Sequence, residues 1–284
     1  MKALYQIIGI SKQALHQYND RQVKRQYQEE ILKEQATAIR ERHPRIGCRT
    51  LYWMMEDIAM GRDRCEQILL ANGFKVRRVT NYFKTTVAQY IYRFPNLIKG
   101  LTLQAINELW QTDITYFHAI GGQVFYLVFI QDVYSRRIIG HSVHDHMRAE
   151  ANLMCLKRAF ETRHGDCLKD LIHHSDRGGQ FIDKAYRDAL KNKGIRMSMC
   201  EQARENAYVE RVNGTIKNDY LKWMQIETLS QLRGALNKAV NRYNQERPHQ
   251  NLPKRMSPMQ FENHLKEVPP DQHPKFKIYD DQLH

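Results

Sequence analysis

Beyond residue 101 the chain alternates between two hydrophobic periods. The segments ELWQTDITYFHAI, QVFYLVFIQDVY and RRIIGHSVHD are short and rich in aromatic and β-branched residues, and Gly121-Gly122 and Ser135-Arg136 separate them. That pattern predicts three consecutive antiparallel strands. Helical spacing follows from about Arg148 to His164, then a fourth strand at DLIHHS, a helix from Ile182 to Asn192 and a fifth strand at GIRMSMC. Two longer helices are expected, from about Glu205 to Trp223 and from Leu229 to Asn244. The order βββαβαβα predicts an α/β domain, a mixed five-stranded sheet with flanking helices.

The first hundred residues read differently. Helix formers fill residues 20–42 up to His43-Pro44. CRTLYWMMEDIA then carries apolar residues at helical spacing (Leu51, Met54, Met55, Ile58) before Met60-Gly61. RDRCEQILLANGF forms another short helix, closed by Asn72-Gly73. Short helices around a Gly-containing turn suit a helix-turn-helix unit, or a plain helical hairpin in which Leu51, Met55 and Leu69 are core. The divisions expected are 1–78 helical and helix-turn-helix-like, 79–101 a basic linker, 102–226 the α/β core, 227–265 its C-terminal helical extension, and 266–284 a fraying tail.

Composition narrows the partners. The 284 residues include 44 Lys and Arg against 31 acidic residues, a net charge of +13. No acidic residue lies between Glu66 and Glu108, where Lys75, Arg77, Arg78, Lys84, Arg93 and Lys99 alternate with Tyr82, Phe83, Tyr90, Tyr92 and Phe94. A basic, aromatic-laced stretch suits a phosphate backbone; a merely solvated basic linker is the alternative. No run approaches the roughly 18–20 apolar residues that cross a bilayer, and the N-terminus lacks a secretory cleavage pattern, so no membrane and a cytoplasmic location are expected. The five cysteines form no CxxC pair, so reduced thiols are expected and structural zinc is not.

Three acids carry the candidate chemistry. Asp113 sits mid-strand in WQTDITY, where a charge must be compensated. Asp176 ends the fourth strand in HHSDRGGQF, and Glu210 lies on the helix ENAYVERVNGTIK, two turns before Lys217 on the same face. Brought together, three carboxylates repel one another unless a cation neutralises them, and hard oxygen ligands suit Mg²⁺ or Mn²⁺. Two such ions roughly 3.5–4 Å apart clamp both oxygens of an in-line phosphoryl displacement. Asp132 is expected to cap its turn. His173 and His174 alternate in face, so at most one points toward the site. Tyr243 lacks the Arg-His constellation of a tyrosine nucleophile.

WQTDITY, HHSDRGGQF, ENAYVERVNGTIKNDYL and NRYNQERPHQNL, in this order, resemble the integrase-core transposases of two-frame bacterial insertion sequences, relatives of retroviral integrases with a D-D-E triad. HPRIGCRTLYWMM and GFKVRR extend the resemblance into the N-terminal unit. It implies a ribonuclease-H-like core, catalytic and metal-binding roles for Asp113, Asp176 and Glu210, and DNA as the substrate, cut and joined at element ends. It further implies a DNA contact for Lys217, and Arg77, Arg78, Lys84, Arg211 and Arg247 are candidate DNA contacts beside it. The implied partners are a homo-oligomer, at least a dimer, on DNA and an upstream-frame helix-turn-helix protein or fusion. Between Asp176 and Glu210 lie 33 residues, two fewer than the family's usual spacing, which places the deletion in CEQAR and makes Glu205 the competing third acid. A nuclease that never joins, or a non-enzymatic DNA-binding protein, are the alternative functions.

Overall fold

In the computed structural model the described residues are 9, 11–76 and 94–278. The chain divides into two compact units, Met1–Arg78 and Val79–His284. The basic stretch with Arg77, Arg78 and Lys84 lies outside the described residues.

In the first unit, α1 (Lys12–Arg42) starts where Ser11 accepts the Ala14 N–H, and it contains neither Gly nor Pro. Only its C-terminal half buries side chains: Leu32, Ala36 and Ile39, spaced by four and three. These pack with α2 (Cys48–Tyr52) and α3 (Arg62–Ala71) around Leu51, Cys65 and Leu69. The helix expected over 48–59 stops at Tyr52. The Gln35 side chain takes over the backbone of Glu56, donating to its carbonyl at 3.0 Å and accepting its N–H at 3.2 Å, and Asp57 turns to φ +53°. Met54, Met55 and Ile58 still pack on the cluster, but from turns. At the end of α3, Gly73 (φ +84°) lets Phe74 N–H reach the Leu69 carbonyl at 3.0 Å, a Schellman closure.

The second unit is built on β2 (Leu109–His118), β3 (Val124–Asp132), β4 (Ile138–His144), β5 (Ile172–Ser175) and β6 (Arg196–Met199), in the spatial order β4-β3-β2-β5-β6. The first three pair antiparallel, and β2–β5 and β5–β6 pair parallel. This is the ribonuclease-H-like arrangement expected. One face buries Phe117, Phe125, Leu127 and Phe129 under α6 (Ala207–Thr215) and α7 (Leu229–Gln245). The other buries Trp110, Val128, Ile130 and Ile139 under α4 (Ala149–Thr162) and α5 (Lys184–Lys191). A Cβ on Gly140 would come 2.5 Å from the Cys155 carbonyl oxygen, so only glycine lets α4 lie this close to β4.

The helix expected over 205–223 is composite. A 3-10 turn (Ala203–Asn206) leads into α6, which widens into a π turn at Ile216–Tyr220 and tightens again at Leu221–Trp223. The ends of the unit also correct the sequence reading. Residues 94–101 are not free linker: Ile98 is fully buried, and Leu97 N–H donates to Ser198 Oγ beside the β6 edge. The tail expected from 266 does not fray through residue 278. After α8 (Pro258–Glu267), capped by Ser257 and Gln260, β7 (Phe276–Lys277) pairs antiparallel with β1 (Thr102–Leu103), and Ile278 is fully buried. Two-residue strands carry no readable period, which is why the sequence concealed them.

A buried ionic knot ties these pieces together. Arg163, which ends α4, donates to Asp132 at 3.1 Å and to Glu262 on α8 at 2.5 Å. Arg137 and Ser135, in the turn between β3 and β4, donate to Glu262 at 2.6 and 2.7 Å. Asp132 also accepts the N–H groups of Tyr134 and Ser135, so it caps the turn as expected. The guanidiniums hold Glu262 below the ordinary carboxylate range against the burial that raises it. Stability from a lowered carboxyl is present above its unfolded pKa and lost as pH falls through the folded one. Glu262→Gln is therefore expected to cost about 3 kcal/mol in urea unfolding at pH 7, with the difference shrinking below about pH 4.5. Gly140→Ala is expected to cost about 1–3 kcal/mol by overpacking, measured the same way.

Candidate active site

On β2 the side chains of Gln111, Asp113 and Thr115 share the face covered by α6. They meet helix positions four apart. Val209 N–H donates to Gln111 Oε1 at 3.4 Å, Asn213 Nδ2 to Asp113 Oδ2 at 2.7 Å, and Lys217 Nζ to Thr115 Oγ1 at 2.6 Å. Two strand residues advance about 6.6–6.8 Å and four helical residues about 6 Å, so the two elements stay in step. Gln111 Nε2 extends the row to the Glu205 carbonyl, and Asn206 Nδ2 reaches the Thr112 carbonyl.

The neighbouring strand brings the second acid level with the first. Ser175 on β5 is paired with Thr112, so Asp176, the next residue, stands beside Asp113 across strands about 4.8 Å apart. Its Oδ1 accepts the Gly178 N–H at 3.0 Å. Glu210 is exposed on α6, one turn before Asn213.

The three acids feel one another. Burial, then the charges of Asp176 and Glu210, push Asp113 up to about 8, with Lys217 opposing. Burial raises Asp176; burial and the Asp176 charge raise Glu210. Burial lowers Lys217, with Asp113 opposing. The buried Cys200 thiol is raised by burial and by the charges of Asp176, Glu205, Asp113 and Glu210 in turn. Each aspartate has taken a hydrogen-bond partner, and no group of three acid, histidine or cysteine side chains among the described residues is already close enough to grip an ion. The donor set fits a divalent cation nonetheless: three hard carboxylates in one field, with a buried Asn213 Oδ1 that has no partner.

Glu205 is spent elsewhere. Its Oε2 accepts the N–H groups of Glu201 and Gln202 at 2.6 and 2.8 Å, closing the shortened CEQAR loop in a capping box. His173 bonds Tyr186 Oη, and His174 bonds Ser198 and Cys200. Burial lowers the two imidazoles to about 3 and about 4, so both are neutral. Tyr243 is buried against Gln131. Among the candidate DNA contacts, Lys217 stands over the Tyr116 ring beside Asp113, and Arg211 is exposed on α6. Arg247 pairs with Asp219 at 2.7 Å, which anchors the end of α7 to the π turn. Asn213 is the site residue that the sequence reading missed; its signal was the shared helix face three residues after Glu210.

A sheet of this order, with acids at the middle of its first long strand, at the end of its fourth and on the helix across them, defines a ribonuclease-H-like protein. Integrase core domain profiles match residues 104–205 and 193–258. The protein named as transposase for insertion sequence element IS904 of Lactococcus lactis is 30% identical over 174 residues, covering 60% of this chain and 67% of that one. A protein named as transposase for IS986/IS6110 of Mycobacterium tuberculosis is 35% identical over 132 residues, 43% of this chain; the match spans about half (47%) of that relative's length. The catalytic core of HTLV-2 integrase, solved with magnesium, has a TM-score of 0.43 at 22% identity, covering 58% of this chain and 98% of that one. The chain belongs to the integrase-core family of insertion-sequence transposases.

A carboxyl whose folded pKa is raised costs the fold stability as pH climbs from its unfolded value toward the folded one. Asp113→Asn is therefore expected to melt higher than the parent in EDTA, by a margin that grows from about pH 4 to about pH 8. Thermal melts across that range check it, and a margin independent of pH refutes it.

Proposed function

We propose that the chain is a DNA transposase that cleaves and joins strands at the ends of an insertion sequence. Asp113, Asp176 and Glu210 would hold divalent ions, Mg²⁺ or Mn²⁺ and two in number. The observation that carries the reading is the convergence of the three acids: Asp113 on β2, Asp176 one residue past the Thr112–Ser175 pair, and Glu210 on the helix whose Asn213 bonds Asp113. Bound there, the ions would activate the attacking hydroxyl and stabilise the departing oxygen of a phosphoryl displacement.

The chain's own side chains do the rest. Asn213 orients the Asp113 carboxylate, and Lys217, held by Thr115, keeps a cation beside it where a phosphate must approach. Arg211 is available to the same strand. The row of contacts from Gln111 to Lys217 fixes these groups on rigid elements. The basic excess, concentrated before residue 101, supports a nucleic-acid partner, with Arg77, Arg78 and Lys84 as further contacts. One acid cluster acts on one strand end at a time, so joining both ends calls for a homo-oligomer on DNA, with the upstream-frame helix-turn-helix partner supplying recognition of the ends. In the described residues no helix is long and apolar enough to cross a membrane.

The test is cleavage and joining of labelled element-end duplexes with Mg²⁺ or Mn²⁺. Asp176→Asn and Glu210→Gln are expected to lose at least about a thousandfold in rate while still binding DNA. Full activity in either variant removes the proposal, and hydrolysis without joined product reduces it to a nuclease.

A further inference from the structure

Where the turn between β3 and β4 meets α7 and the loop after it, the fold holds more positive charge than it neutralises. Arg136 takes φ +66° in that turn and is 7% exposed. Its guanidinium lies on aromatic rings, 4.2 Å from Tyr208 and 5.8 Å from Phe276. Its carbonyl accepts from Gln131 Nε2 at 2.8 Å, and the same amide reaches Tyr243 Oη at 3.4 Å. The Tyr243 ring meets His249 edge-on at 5.0 Å. Arg247 gives one nitrogen to Asp219 and stands 5.8 Å from the Tyr220 ring.

The donors that remain are the informative ones. Arg136 Nη1, Arg247 Nη1 and His249 Nε2 are all buried without a hydrogen-bond partner. Native folds rarely leave such groups unanswered, and three in one cluster ask for a shared acceptor. Burial and the charges of Arg247, Arg136 and Arg211 lower His249 to about 3, so its imidazole is neutral and joins the cations without adding to their repulsion.

We infer that Arg136, Arg247 and His249 form an anion pocket for one phosphate group of a nucleic-acid strand, with Arg211 at its lip. Two guanidiniums and an imidazole N–H match the several acceptor oxygens of a phosphate. The pocket is near the acids: Gln131 is paired with Gln111, two residues along β2 from Asp113, a step of about 6.6–6.8 Å. α6 carries Tyr208 and Arg211 to the pocket and Glu210 to the acid cluster. A phosphate held here would anchor the strand beside the carboxylates, independently of any metal. Naming a nucleic-acid phosphate rests on the proposed function; the pocket itself does not.

The test uses the whole chain in EDTA. Inorganic phosphate is expected to raise the melting temperature above that in chloride at equal ionic strength, and to compete with a labelled duplex. Arg136→Gln should lower the slope of log affinity for the duplex against log salt by about one. His249→Phe, which keeps a ring against Tyr243, should weaken binding severalfold without changing the slope. Should Arg136→Gln fail to fold, the exposed Arg211→Gln gives the slope reading. Folded variants with parental affinity and slope overturn the pocket. Stabilisation by phosphate without competition with the duplex overturns its assignment to a strand. Absence of metal-dependent cleavage in a parent chain that shows these binding effects would defeat the proposed function and leave the pocket standing.

Discussion

The site depends on one constraint: a strand and a helix that advance in step. β2 offers Gln111, Asp113 and Thr115 every second residue, and α6 with its π turn offers Val209, Asn213 and Lys217 every fourth. Because the two steps nearly match in length, each polar group on the strand finds a partner on the helix. Glu210 rides on that helix, so its place beside the aspartates is set by hydrogen bonds made elsewhere along the row. The apolar contacts beneath, from Phe117 and Phe129 to Val209, Val212 and Ile216, press the helix onto the sheet without choosing its register. The polar row chooses it.

Three charge clusters follow, and they differ in how their charges are balanced. The Asp132, Arg163, Glu262 knot is closed in charge, though Arg163 Nε and Arg137 Nε are left without a partner: each carboxylate meets a guanidinium, and the result fastens α4, α8 and the turn between β3 and β4. The acid cluster is open: three carboxyl groups share one field, and Lys217 moderates Asp113. The cluster of Arg136, Arg247 and His249 is open in the opposite sense, with donors and one carboxylate. Open clusters work against folding, since charge and unsatisfied donors are costly in a low-dielectric interior. On the proposed function, the two open clusters would together suit a ligand that brings both signs, as a phosphodiester with divalent counterions does. Much of the closed bonding, from the ionic knot to the pairing of β1 with β7, then serves to hold the open clusters in place.

The five core strands, their order and the helices between them were legible in the sequence because each is a local pattern repeated over several residues: alternation in β2 and β3, helical spacing in α4 and α7, glycines at the turns. The acids were legible for the same reason, as charges misplaced on apolar elements and set in distinctive strings. Asp132 as a turn cap could be read from its neighbours alone. Asn213 could not, since an asparagine on a helix has no meaning until Asp113 lies under it. Nor could the fate of Arg247, a basic residue that the fold ties to Asp219, or the break in the helix after Tyr52, imposed by Gln35 from another helix.

What the sequence determined by itself is thus the set of elements and the kinds of chemistry they carry, since periodicity and residue type act over a few neighbours. Tertiary structure alone decided the composite form of α6, the return of residues 276–278 to β1 and the closing of the CEQAR loop by Glu205. It also decided the gathering of Arg136, Arg247 and His249. Each of these rests on contacts between residues far apart in the chain, and such contacts gain their energy only after the sheet has brought the partners together.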